Sequence, residues 1–284
     1  MCSDRDKDIE TTYIMNKSTQ DKIREEYAPL VKTFVENVIN SKLNTEGVPA
    51  LNLPKAGDYY DECTHKIAFI GMETKGWGKM SEFIKLGSKL PEEAINYKDL
   101  WFKEGKRYKH LKPATFWGFI VTFLEKFYGC TKRRLIRKDG TYHEILSSFV
   151  WGNCNSLERY CVTAKKNNAD KSHWEKIKEF SFPFDDIEHI IKATKPQLIF
   201  ITYTKVDKDR YLKSVGCEKI ISNKNLHLHH YSIEVGEQKT HVFIIPHPTW
   251  IVRSKCYGGY KKYIKELINY IKECSIWSDL PVDK

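Results

Sequence analysis

The chain has 284 residues, 41% hydrophobic and 30% charged, enough to bury a sizeable core as one α/β domain with or without a helical extension. Its 47 Lys and Arg against 37 Asp and Glu leave a net charge of +10, an excess that favours polyanionic partners. The eight cysteines are scattered with no CxxC pair, which argues against a structural zinc ribbon, and no apolar run approaches the ~20 residues that span a bilayer. The expectation is a cytoplasmic protein with reduced thiols, no signal peptide and no membrane segment.

Residues 20–42 place Ile23, Tyr27, Leu30, Val31, Phe34, Val35, Val38 and Ile39 at helical spacing, an apolar face that packs on something larger. Residues 1–65 therefore read as a helical extension packed on an α/β domain of residues 66–284. Pro49, Pro54 and Gly57 break the pattern ahead of Ile67–Gly71, a short apolar run with the length of a buried strand. A Gly-rich turn and a polar insertion to Lys112 follow. The next helix, over 114–128, sends Phe116, Trp117, Phe119, Ile120, Phe123 and Leu124 to the core.

The basic tract 132–138, ending in Asp139-Gly140, reads as an exposed turn. With Lys165-Lys166 it either extends a DNA footprint or is simply solvated. Residues 147–152 give a second strand. A helix over 184–194 runs through Lys195-Pro196 into a third strand at 198–202. His227, His229 and His230 read as a hairpin surface rather than a metal site, since no acidic or cysteine partner stands nearby in the sequence. A fourth strand at 240–246 and an amphipathic helix over 260–274, with Tyr263, Ile264, Leu267, Ile268 and Ile271 inward, close the chain. Strands alternating with helices predict a three-layer α/β/α fold around a mainly parallel sheet.

Ligands of such sheets bind beyond the C-terminal strand ends, where loops converge. The unusual residues lie there. Gly71-Met-Glu-Thr-Lys-Gly-Trp-Gly78 follows the first strand, Gly152-Asn-Cys-Asn155 the second, and Pro246-His-Pro-Thr-Trp-Ile251 the fourth. In this order and spacing they resemble the uracil-DNA glycosylase superfamily, as does the helix, Lys-Pro and strand spanning 187–202. The resemblance covers roughly residues 67–273.

It implies a monomeric DNA glycosylase of glycosylase-like α/β fold that flips a pyrimidine out of DNA and hydrolyses its N-glycosidic bond without metal or other cofactor. Such cleavage leaves positive charge on the sugar and negative charge on the base, so a carboxylate near C1′ and a donor at the base carbonyl both lower the barrier. By the resemblance, Glu73 positions water and His247 donates to the pyrimidine O2. Asn153 reads the base edge, with Asn155 the alternative if the strand register is off by two. Met72 and Trp77 belong to the base-binding turn, Trp77 as a stacking candidate. Lys75, Thr249, Trp250, Arg253 and Lys255 are placed to contact DNA, and Ile251 matches the apolar wedge that fills the vacated stack.

The first motif departs from the family in lacking its Pro, in carrying Glu for Asp or Asn, and in having no Tyr to crowd the pyrimidine 5-position. The substrate expected is therefore uracil or, preferably, a 5-modified cytosine such as that of phage DNA, in an antiviral setting. With no lysine required as a Schiff-base nucleophile, the enzyme is monofunctional, leaving an intact abasic strand. Two alternatives stay open: an inactive DNA-binding protein of the same fold, and an unrelated α/β hydrolase or transferase acting on a small molecule.

Overall fold

The computed structural model describes residues 17–43, 45, 51, 53–71, 80–85, 116–130, 134–136, 142–153, 180, 187–203, 212–213, 215–254 and 259–274. Helix α1 (Thr19–Asn40) is capped by Ser18, whose side chain accepts from the Asp21 N–H. Short β1 (Lys55–Ala56) precedes β2 (Ile67–Gly71), α2 (Met80–Ile84) and α3 (Phe116–Phe127). A two-stranded ribbon of β3 (Arg134–Ile136) and β4 (Tyr142–Glu144) leads to β5 (Phe149–Asn153), α4 (Ile187–Thr194) and β6 (Leu198–Tyr203). Then come β7 (Glu218–Asn223), β8 (Leu228–Val235), β9 (Gln238–Pro246), α5 (Pro248–Arg253) and α6 (Tyr260–Glu273).

Seven strands form one sheet in the order β1-β5-β2-β6-β9-β8-β7. The four central strands are parallel, while β1, β8 and β7 pair antiparallel at the flanks, so the sheet is mixed at its edges. Alternation sends each strand's side chains to two separate cores. On one face Ala68, Ile70, Val150, Ile199, Ile201, Val242 and Ile244 pack with Ile23, Tyr27, Val31, Phe34 and Val38 of α1 and with α4. On the other, Ile67, Phe69, Phe149, Phe200 and Phe243 pack under α3 and α6, with Ile251 of α5.

α1 is pinned to α4 by Glu26, which accepts from Lys192 at 2.9 Å and pairs with His189 at 2.8 Å. Its expected apolar face is buried except for half-buried Leu30 and for Ile39, which is 51% exposed near the helix end. The tract 132–138 is more than a turn, because Arg134–Ile136 pairs with Tyr142–Glu144. No helix among the described residues is long and apolar enough to cross a membrane.

The second core is organised by a row of rings at one level of the sheet. Trp151, Phe69, Phe200 and Phe243 are partners in register across the four parallel strands. Phe69 stacks on Phe200 at 5.2 Å between centroids, and Phe200 on Phe243 at 5.5 Å. His230, opposite Phe243 on β8, continues the row, stacked at 4.4 Å.

His230 is thus a core residue and not part of a hairpin surface, although His227 is exposed and His229 half-buried. Its ring nitrogens share hydrogen bonds with His241 at 2.9 Å and the Tyr270 hydroxyl at 3.1 Å. Burial, reinforced by the neighbouring His241 and Lys239, lowers its pKa from 6.5 to about 4. The folded state therefore binds the His230 proton more weakly than the unfolded chain does. The stability this neutral ring supports is complete above pH 6.5 and is lost as pH falls toward about 4. Thermal melts between pH 7.5 and 4 are expected to show this acid loss, and His230→Gln, neutral throughout, is expected to give a flatter profile over that range.

Candidate active site

The chain runs from β2 to β5 on one side and then returns to β6 on the other side of β2. Such a reversal marks the C-terminal ends of β2 and β6 as the usual ligand position in sheets of this kind. The side-chain level directly above the ring row consists of Asn153, Gly71, Thr202 and Ile245, two residues on from Trp151, Phe69, Phe200 and Phe243 in their strands.

Gly71 and Asn153 are register partners. A Cβ at Gly71 would lie 2.7 Å from Asn153 Oδ1 and 3.7 Å from Phe116 Cζ. The missing side chain thus lets the Asn153 amide lie over β2, beside the first ring of α3. Asn153 is only 4% exposed, yet its Nδ2 finds no hydrogen-bond partner among the described residues. A buried amide donor left unmade costs about 1–3 kcal/mol, so a fold optimised for stability alone would not keep it. Thr202, at the same level, donates to the Ile70 carbonyl at 3.4 Å and is satisfied within the sheet.

His247 stands just beyond β9 as the N-cap of α5, with Pro248 at the first helical position. Its Nδ1 accepts the Thr249 N–H at 3.3 Å, and its carbonyl accepts from Trp250 and Ile251. Burial holds its pKa below the ordinary histidine value. An imidazole whose Nδ1 accepts, and which is neutral at pH 7, carries its proton on Nε2. His247 is therefore a neutral donor fixed in one tautomer by the backbone of its own helix. Because α5 packs against α3 and α6, His247 stands on the same side of the sheet as Asn153 and Phe116. Three inter-strand steps separate β5 from β9, about 14 Å between their backbones.

The sequence-derived residues divide clearly. Asn153, His247, Thr249, Trp250 and Arg253 all lie along this strand-end edge, with Trp250 39% exposed and Arg253 exposed. Ile251 does not serve as a wedge: it is 1% exposed and packed in the core under α3 and α6. The exposed apolar residues of α5 are Trp250 and Val252. Met72, Glu73, Lys75, Trp77, Asn155 and Lys255 lie outside the described residues, as does Lys165-Lys166.

Phe116, expected within a mostly core-facing aromatic helix, packs against the core but is half-buried beside the amide. Its position at the head of α3 was the available signal, masked by the aromatic run that follows. Among the described residues no cluster of His, Cys, Asp and Glu is arranged to hold a metal ion, and Cys63, Cys130, Cys217 and Cys274 are free thiols.

No known family model matches the chain, and no curated protein sequence matches it.

A direct consequence concerns stability. Asn153→Leu removes a buried donor that has no partner among the described residues, at nearly the same shape, so its melting temperature is expected to equal or exceed that of the parent in a calorimetric scan. A fall of several degrees would mean that the amide holds the fold together.

Proposed function

We propose that the protein is a monofunctional DNA glycosylase that takes a flipped pyrimidine into the crevice at the ends of β2, β5 and β9 and hydrolyses its N-glycosidic bond. The observation that carries this reading is the buried amide of Asn153, whose Nδ2 has no partner among the described residues, on the same strand-end edge as a neutral histidine donor. An amide offers both a donor and an acceptor to a base edge, and a buried unmet donor discriminates strongly once a matching acceptor arrives.

In the mechanism proposed, the base enters between β5 and β9, its edge on Asn153 and one face toward Phe116. As the glycosidic bond breaks, electron density collects on the base carbonyl. The Nε2–H of His247 meets it there, preorganised because Nδ1 is already engaged by Thr249. The neutral tautomer matters. It donates without protonating the base early, and the leaving base remains the anion that the site stabilises. Glu73, two residues beyond the end of β2 in sequence, orients water toward C1′. Arg253, the hydroxyl of Thr249 and the overall charge of +10 supply attraction for the phosphates. The absence of a Tyr after Glu73 leaves the pyrimidine 5-position open, which favours 5-substituted cytosine as the substrate.

The test is incubation with DNAs containing uracil, thymine mismatches, 5-hydroxymethylcytosine or its glucosylated form, followed by alkali. Alkali-labile sites are expected in at least one 5-substituted cytosine DNA. His247→Ala is expected to reduce that rate about a hundredfold or more with DNA affinity little changed, and Glu73→Gln to reduce it further. Borohydride is expected to trap no covalent adduct. Silence on every DNA, with binding that weakens steeply in salt, would replace this reading with a DNA-binding module lacking chemistry.

A further inference from the structure

Three hydrogen bonds in series join the end of the ring row to the end of α6. His230 bonds through Nε2 to His241 Nδ1 at 2.9 Å and through Nδ1 to the Tyr270 hydroxyl at 3.1 Å. The Tyr270 oxygen is in turn hydrogen-bonded to the Cys274 thiol, one turn on at the C-cap of α6. His230 is 2% exposed, whereas His241, Tyr270 and Cys274 are half-buried. A buried ring thus links two partly exposed ends.

A neutral imidazole donates from one nitrogen and accepts at the other, so the two bonds of His230 must point the same way along the series. When His241 is neutral, the favoured direction uses every donor. The thiol donates to the Tyr270 oxygen, the Tyr270 O–H to His230 Nδ1, and the His230 Nε2–H to His241 Nδ1. In the reversed direction the Tyr270 O–H loses the imidazole and has the Cys274 sulfur, a weak acceptor, beside it. Protonation of His241 changes the balance, because both nitrogens of an imidazolium are donors. Its Nδ1–H must then donate to His230 Nε2, and His230 must donate from Nδ1 to Tyr270.

The surroundings let this happen without charging the core. Lys239, two residues before His241, and Tyr270, Glu273 and Cys274 of α6 are the charged and titratable groups around the pair. The other elements are uncharged where they face it: β7 places Ile221 opposite His230, and β8 and β6 place Ser232 and Leu198 opposite His241.

We propose that this series is a pH-sensitive switch whose state is the direction of its hydrogen bonds. Proton uptake by His241 turns His230 from the Nε2–H to the Nδ1–H tautomer and frees the Tyr270 O–H from β8, so acidity sensed on β9 is passed to the end of α6. One proton enters from solvent. Afterwards His241 holds two ring protons and His230 still one, so the ring row stays uncharged.

The test is long-range proton–nitrogen correlation NMR on the full chain with nitrogen-15 histidine, from about pH 8 to about pH 5. At the upper end the Nε2–H tautomer of His230 is expected to predominate by about tenfold or more. As His241 titrates, His230 is expected to convert to Nδ1–H with the same midpoint. His241→Leu is expected to abolish the conversion. Tyr270→Phe, which removes only the hydroxyl, is expected to leave His230 a mixture of tautomers at pH 8. The dispersion of the spectra checks that each variant is folded. The proposal is overturned by a His241 that stays neutral throughout, by a His230 that keeps one tautomer while His241 titrates, or by a His241→Leu variant that still converts.

Discussion

One row of rings fixes the rest of the molecule. Trp151, Phe69, Phe200, Phe243 and His230 lie at a single level across five adjacent strands, with Phe123 of α3 packed edge-on to Phe200 at 4.7 Å. Each ring locks the register of its strand against the next, because a slip of one residue would turn every ring to the opposite face. Register fixed at this level also fixes the level above it. There the strands end, with Asn153, Gly71 and Thr202 on three neighbouring strands. The site therefore stands directly above this row, where loss of a ring would leave a cavity costing about 3–5 kcal/mol.

The same arrangement explains how polar chemistry is held in an apolar setting. The rings form a floor, Gly71 supplies space without a side chain, and the Asn153 amide occupies that space with its Nδ2 unpaired among the described residues. His247 is handled differently, since the backbone of α5 satisfies one of its nitrogens and thereby dedicates the other as a donor. In the glycosylase reading we propose, a donor so prepared would need little reorganisation as charge develops, the condition under which such donors contribute most to rate.

Much of the fold was legible in the sequence because it is written in short apolar runs and strong helical periods. The four parallel strands and the closing helix fall within a residue or two of where hydrophobic pattern places them. The antiparallel addition of β7 and β8 was not legible. β7 is exposed along its length, so Glu218–Asn223 carries no alternation, and β8 hides a buried histidine among residues that look like a polar hairpin. The site shows the same division. Asn153 and His247 stand at strand ends, where position alone draws attention, and both lie on that edge. Ile251 was misjudged because chain position does not tell which face of a six-residue helix meets the core. Phe116 was hidden by its neighbours, since a helix rich in phenylalanine gives no sign of which ring is left half-exposed.

We propose that the strand-end edge carrying Asn153 and His247 serves to cut the bond between base and sugar and no other. The most direct measurement is mass spectrometry of the small molecules released when the protein acts on DNA carrying 5-substituted cytosines. The account predicts an intact free pyrimidine base, one for each abasic site formed, with the strand unbroken before alkali. Release of a nucleoside or nucleotide, or of nothing from DNA that the protein binds, would contradict it.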